Sequence, residues 1–410
     1  MPAFSVMIKP AGPMCNLACR YCFYTEKKSL YPRSGSYRMS EEVLEAFVRQ
    51  YLNSQEVPEV QFCWQGGEPT LAGIEFFRRT VALQKRYSDG KKVTNAFQTN
   101  GILLNDEWCR FFTERDFLVG LSIDGPREVH DRYRCDRQGR GTFDAVMRAV
   151  ATLKRHGIRF NTLTVVNDVN VRQPLAVYRF LKEIGDGFMQ FIPLVERRPN
   201  EEARALGLNL GLPPLPGQEY QDMDIMPWSV HPARLGEFYV QIFDEWVRHD
   251  VGRYFVQLFD EALGSWLGVG TALCQFAPTC GRTVALEHHG DLYACDHYVY
   301  PEYMLGNILT EPLPQLLASE RQRRFGRHKL DLLPNECLSC AVRFACNGDC
   351  PKHRFARTAD GQPGLSYLCP AYKRIFTHMD PYMQCMARLL AAGRSPADVM
   401  ALVRELDSRK

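Results

Sequence analysis

Three cysteines near the start of the chain are spaced C-x3-C-x2-C, in Cys15-Asn-Leu-Ala-Cys19-Arg-Tyr-Cys22. Thiolates are the usual protein ligands of iron-sulfur clusters, and three on one loop can hold three irons of a four-iron cubane. The fourth iron is then open. It can chelate a ligand through an amino and a carboxylate group and pass it an electron, whereas a closed structural zinc site would need a fourth protein ligand. A second cysteine pattern fills the C-terminal part: Cys274-x5-Cys280, Gly290-x4-Cys295, Cys337-x2-Cys340-x5-Cys346-x3-Cys350, and Cys369. Those eight thiols suffice for two four-cysteine sites, and only Cys63, Cys109, Cys135 and Cys385 are left as ordinary buried or surface thiols. A zinc ribbon on Cys337, Cys340, Cys346 and Cys350 has plausible local spacing, but it gives Cys274, Cys280, Cys295 and Cys369 no common explanation.

The 15 cysteines sit in a chain of 410 residues with 50 Lys plus Arg against 47 Asp plus Glu. A net charge of +3 exerts no general pull on polyanions, so neither nucleic acid nor an anionic membrane is expected as a partner. The N-terminus has no basic segment followed by a long apolar run, and no stretch of about 18 apolar residues occurs. The expected location is cytoplasmic. A reducing compartment favours metal-binding or catalytic roles for closely spaced cysteines over disulfides.

These cysteines need a frame. Apolar, β-rich runs at 4–8, 60–64, 93–98, 118–123, 159–166 and 188–192 alternate with helical patterns near 40–53, 74–87, 105–115, 142–156 and 172–184. Strands alternating with helices imply a parallel α/β sheet. Six repeats suit an open, partial (β/α)6 barrel better than a closed eight-stranded one, which usually takes about 250 residues. From Glu196 to Gly236 a Pro- and Gly-rich stretch, including Gly211-Leu-Pro-Pro-Leu-Pro-Gly217, reads as a loop or connection whose position suits a peptide groove. Helical patterns follow near 236–249 and 255–267. Then His288-His289-Gly290-Asp291 marks a β-hairpin turn, and a helix is expected near 313–325 ahead of the cysteine-rich 337–369 segment and two C-terminal helices. The expected units are 1–235, 236–370 and 371–410, the last a helical segment. Length alone argues for more than one core.

Taken together, these segments resemble radical S-adenosylmethionine (SAM) enzymes. The cysteine triad is followed, about one strand-helix unit later, by Gly66-Gly67-Glu68-Pro69, where glycines allow close backbone approach. The resemblance implies that Cys15, Cys19 and Cys22 hold a SAM-binding 4Fe-4S cluster and that Gly66, Gly67 and Glu68 lie at the SAM amino group. It further implies Ser122 and Arg134 at the SAM carboxylate, and Tyr21 and Val195 near its adenine. The later cysteines resemble a SPASM domain. By that resemblance Cys274, Cys280, Cys295 and Cys350 hold one auxiliary 4Fe-4S cluster, and Cys337, Cys340, Cys346 and Cys369 the other, in a small domain with a β-hairpin and helices.

Over nearly its whole length the chain is similar to the anaerobic sulfatase-maturating enzymes, through Lys9-Pro10, Cys22-Phe-Tyr24, Trp64-Gln-Gly-Gly-Glu-Pro-Thr-Leu71, Phe117-Leu-Val-Gly-Leu-Ser-Ile-Asp-Gly-Pro126, Cys295-Asp-His-Tyr298 and Leu305-Gly-Asn-Ile308. That resemblance implies oxidation of a Cys or Ser residue to Cα-formylglycine in a sulfatase polypeptide, within a C/S-x-P-x-R segment. The electron donor would be a reduced flavodoxin or ferredoxin-type protein. A 5'-deoxyadenosyl radical would take a hydrogen from Cβ, a base would take the thiol or hydroxyl proton, and an electron would leave through an auxiliary cluster. From the residues alone, Asp296 and His297 compete as that base, and an imidazole suits general base work near neutrality. The family resemblance favours Asp296. The rival function is modification of another peptide by a related SPASM enzyme, forming a thioether or crosslink.

Overall fold

The computed structural model describes residues 3–32, 36–214 and 224–408; residues 215–223 of the Pro-rich stretch lie outside the described residues. Six strands coincide with the apolar runs: β1 (Ser5–Ile8), β2 (Glu59–Trp64), β3 (Lys92–Thr99), β4 (Phe117–Ser122), β5 (Phe160–Val166) and β6 (Phe188–Pro193). They pair in parallel and in chain order. Between them run the helices Glu41–Ser54, Ile74–Tyr87, Asp106–Glu114, Phe143–Arg155 and Pro174–Ile184. Side-chain caps start two of these helices, Ser40 accepting from the Val43 N–H and Asn105 from the Trp108 N–H. Their apolar faces cover an aromatic core in which Phe77 meets Trp64, Phe97 and Trp108 edge-on.

The sheet does not end with these six. Strands β7 (Phe255–Val256), β8 (Thr283–Leu286), β9 (Asp291–Tyr293) and β10 (Met304–Asn307) extend it to the order β10-β9-β8-β1-β2-β3-β4-β5-β6-β7. The hairpin turn expected at 288–291 joins β8 to β9. Strand β8 also lies parallel to β1, with Ser5 opposite Thr283 and Ile8 opposite Leu286. The sheet therefore runs across the boundary expected near residue 235, and β1 has a neighbour on both sides. Strand pairing between distant segments satisfies an edge that would otherwise be open, and no local pattern announces it.

Other differences are local. The helix expected at 313–325 is two, Leu313–Leu317 and Glu320–Asp331. Ser319 adopts an extended backbone between them and caps the second by accepting from the Gln322 N–H. The Pro-rich stretch contains a short helix, Glu201–Ala205, capped by Asn200. The helix expected from 236 starts at Pro232, a residue suited to a first helical position. At the C-terminus the Cys369–Ala391 helix precedes Val399–Ser408.

Candidate active site

The cysteine loop leaves the C-terminal end of β1 and is strapped down on two sides. Ala18 N–H donates to the Cys135 carbonyl (2.8 Å) and Arg20 N–H to the Tyr133 carbonyl (3.0 Å). On the other side Gly67 N–H reaches the Gly12 carbonyl (2.9 Å) and Glu68 N–H the Met14 carbonyl (2.8 Å). A Cβ at position 67 would stand 2.0 Å from the Met14 carbonyl oxygen, so only glycine permits this approach beside Cys15. The buried Glu68 carboxylate ties the segment to the end of β3. It accepts from Thr70 N–H (3.0 Å), Thr70 Oγ1 (2.7 Å), Thr99 Oγ1 (2.8 Å) and Asn100 N–H (2.8 Å). Asn100 in turn points its amide at the Cys15 sulfur (3.6 Å).

Residues expected around the ligand of the open iron gather at the same strand ends. Ser122, buried, closes β4, and Asp124 follows it fully buried. Asp124 accepts from the Tyr21 hydroxyl (2.6 Å) and pairs with the Arg134 guanidinium (3.0 Å). Burial works against the Arg134 charge, but Asp124, Tyr21 and Cys19 outweigh it. Val195, just past β6, is buried too. Beside it runs the 226–230 segment, whose Met226 N–H donates to the Glu196 carbonyl and Val230 N–H to the Leu194 carbonyl, both at 2.8 Å. A cavity of about 270 Å³ opens between Cys19, Cys22 and Glu26 on one side and Asn209, Leu210, Met226 and Trp228 on the other.

The later cysteines fall into two groups that interleave along the chain. Burial raises the Cys295 thiol, and Cys350, Cys274 and Cys280 add to the effect. Cys337, Cys340, Cys346 and Cys369 line a second cavity together with Arg343 and Lys373. Cys346 and Cys350 diverge because Asn347, Gly348 and Asp349 all take positive φ, at 46°, 74° and 61°. The buried Arg354 side chain holds that turn, donating to the carbonyls of Gly348 (2.7 Å), Asn347 (2.9 Å) and Asp349 (3.2 Å). A zinc ribbon would need Cys350 beside Cys346 instead.

The donor chemistry fits iron-sulfur clusters. Burial pushes the Cys15, Cys346 and Cys369 thiols up to about 12, so they are neutral by themselves, and a bound cluster has to displace their protons. Among the described residues no three His, Cys, Asp or Glu side chains converge tightly enough to share one metal ion. Thiolates around a cubane each meet a different iron and stand farther apart than ligands of a single ion.

Asp296 and His297 differ sharply in surroundings. Lys9, 2% exposed at the end of β1, forms an ion pair with the Asp296 carboxylate. Burial alone would raise that carboxyl, yet Lys9, with His297 and Lys27 assisting, holds it below the usual carboxylate range. His297 is pulled down to about 3 by burial, with Lys352 adding to it. Its ring stands edge-on to Phe23, with Nδ1 3.8 Å from the Cys350 sulfur.

The chain is similar to known proteins in both sequence and fold. The radical SAM superfamily pattern matches residues 10–181, and an iron-sulfur cluster-binding domain, SPASM, matches 274–341. A serine-type anaerobic sulfatase-maturating enzyme of Bacteroides thetaiotaomicron is 45% identical over 98% of this chain and 95% of its own length. The chain belongs to the anaerobic sulfatase-maturating enzymes. A cysteine-type member from Clostridium perfringens is 33% identical over 93% of this chain and 97% of its own. A solved structure, native anSMEcpe with bound AdoMet and Cp18Cys peptide, superimposes with a TM-score of 0.79 at 33% identity, covering 95% of this chain and 100% of that one. As a radical SAM and SPASM enzyme, the chain works with SAM and 4Fe-4S clusters. Cys346, Cys350 and Cys369 lie beyond the SPASM match, so their grouping rests on the geometry above.

Several side chains around the site carried no signal of their own in the sequence. Lys9 appeared only as part of a Lys-Pro pair, and Arg354 and Trp228 not at all. A buried charge such as Lys9 or Arg354 declares itself only once its partners, distant in the chain, are placed around it. The Pro-rich stretch does reach the site, through Asn209, Leu210, Met226 and Trp228.

Proposed function

We propose that this maturase oxidises a Cys or Ser residue in a C/S-x-P-x-R segment of a sulfatase to Cα-formylglycine, with Asp296 as the base. The reading rests on one observation: Asp296, next to Cys295, is ion-paired with Lys9, a few residues before Cys15. That pairing ties the segment after Cys295 to the end of β1, the strand from which the first cysteine loop leaves.

SAM, bound at the open iron of a cluster on Cys15, Cys19 and Cys22, would supply hydrogen-atom abstraction from carbon, and the auxiliary clusters an electron sink. Gly66, Gly67 and Glu68, with Ser122 and Arg134, would hold the amino and carboxylate ends of SAM, and Tyr21 and Val195 its adenine. The set Cys274, Cys280, Cys295 and Cys350 would hold the nearer auxiliary cluster, and Cys337, Cys340, Cys346 and Cys369 the farther. Asp296 takes the thiol or hydroxyl proton of the target residue. Lys9 keeps it anionic beforehand and fixes its direction. Loss of one hydrogen atom, one proton and one electron leaves a C=O or C=S double bond on the target. A thioaldehyde adds water and releases hydrogen sulfide to reach the same aldehyde.

A reduced flavodoxin or ferredoxin-type protein is the proposed electron donor and the cytoplasm the proposed compartment, in keeping with 15 cysteines that are all free thiols. Among the described residues no helix is long and apolar enough to cross a membrane. The test is mass spectrometry of C-x-P-x-R and S-x-P-x-R peptides after anaerobic incubation with cluster-loaded enzyme, SAM and reductant. Aldehyde matched by 5'-deoxyadenosine supports the proposal. SAM cleavage with both peptides unchanged overturns the substrate assignment.

A further inference from the structure

His297 has no part in the proton transfer assigned to its neighbour, yet it reaches from one segment of the nearer auxiliary cysteine group to another. Its backbone N–H donates to the Cys295 sulfur. Its ring crosses to the second segment, with Nδ1 3.8 Å from the Cys350 sulfur, which also accepts from the Lys352 backbone N–H. The ring is braced against Phe23, edge-on with 5.6 Å between centroids and 87° between planes. Phe23 in turn lies under Lys352, whose Nζ stands 4.9 Å from its ring centre and pairs with Glu196 at 2.5 Å. A sulfur that ligates iron carries no proton and can only accept, so the contact is met when the ring hydrogen sits on Nδ1.

We propose that His297 tunes the nearer auxiliary cluster, its Nδ1–H donating to the Cys350 thiolate so that the cluster takes up an electron more readily. The inference rests on the reading of Cys274, Cys280, Cys295 and Cys350 as one 4Fe-4S site. Reduction adds one negative charge to the cluster and its thiolates. A donor aimed at a ligating sulfur therefore stabilises the reduced form more than the oxidised one, and hydrogen bonds to the sulfurs are among the factors that set a cluster's potential. In the proposed reaction the target residue gives a hydrogen atom to the deoxyadenosyl radical and a proton to Asp296, and the one electron left over is what the cluster gains. His297 is thus a positioning residue, acting through Cys350 and not on the substrate.

Redox titration of enzyme loaded with all three clusters, followed by electron paramagnetic resonance, tests the proposal. His297→Phe keeps a ring against Phe23 and deletes the donor, and His297→Asn returns an amide N–H near the Nδ1 position. In the Phe variant one of the three potentials should fall, its redox equilibrium moving roughly three- to tenfold, or about 28 to 59 mV for one electron. The Asn variant should recover most of that shift. Iron content and the other two potentials should stay at wild-type values. An unchanged set of potentials in the Phe variant overturns the proposal. So does an equal fall in the Asn variant, which would trace the effect to ring volume instead of the donor. Loss of about four irons in the Phe variant overturns it as well, since His297 would then hold the cluster in place and not tune it. Failure of the wild-type enzyme to load a cluster at these four cysteines is a different result, since it would remove the reading of that site itself.

Discussion

At the scale of single residues, the proposed chemistry turns on the ion pair between Lys9 and Asp296. A carboxylate beside a fully ligated cluster is useful as a base only if it is ionised when the substrate arrives, and an adjacent buried ammonium secures that. Asp296→Asn keeps the shape and removes the proposed base. Aldehyde formation should drop about 10²- to 10⁴-fold, while 5'-deoxyadenosine still forms without product. Lys9→Met should cost roughly ten- to a hundredfold in aldehyde, again with SAM cleavage retained, because the base loses its orientation and its counter-charge. Chromatography of both products from one incubation checks the two variants. Equal loss of SAM cleavage and aldehyde would mean that Lys9 and Asp296 support the first cluster and do not act on the substrate. Of this pair only Asp296 was legible in the sequence, through its place after Cys295. Lys9 was invisible as a partner, since a pairing between the two ends of the chain leaves no local pattern.

At the scale of elements, two glycines decide whether the cysteine loops can take their shapes. Gly67 lets the segment after β2 lie against Met14, and Gly348 lets the chain reverse between Cys346 and Cys350. A Cβ at 348 would meet Leu333 Cδ2 at 2.4 Å and Arg354 Nη2 at 2.6 Å, in a backbone conformation that side chains resist. Gly67→Ala should therefore remove one cluster, about four irons per chain, and abolish SAM binding while the auxiliary clusters stay. Gly348→Ala should do the reverse, losing auxiliary iron with the SAM-binding cluster kept. Iron and sulfide analysis with electron paramagnetic resonance separates the two patterns, and a uniform loss of all iron in either variant would contradict the division. The strands and most helices were readable because apolar periodicity is a local property. The split of the helix near 319 and the interleaved cysteine groups were less so, since one depends on a single capping serine and the other on a turn of three positive-φ residues.

At the scale of the whole molecule, one sheet binds the two cysteine-bearing halves. Strand β1 is sandwiched between β2 and β8, with Val6, Ile8, Val284 and Leu286 all fully buried. The first helix is committed to the far end of the chain as well: Gln50 donates to the Ile308 carbonyl (2.8 Å) and accepts from the Leu313 N–H (2.7 Å). A fragment of residues 1–235 would carry the six parallel strands β1 to β6, the five helices between them and the first cysteine motif. It would also expose one edge of β1, the apolar side chains that β8 covers, and an unsatisfied Gln50. Open apolar edges recruit other chains, so the fragment should aggregate and melt without a cooperative transition, whereas the full chain should unfold cooperatively. Circular dichroism melts with light scattering on both proteins provide the test. Cooperative melting of the fragment at the full chain's temperature would make the hairpin an appendage. The expected failure would carry a functional meaning too: the β1–β8 pairing that completes the fold also brings Lys9 against Asp296, so the proposed base meets its counter-charge only when the second half has joined the sheet.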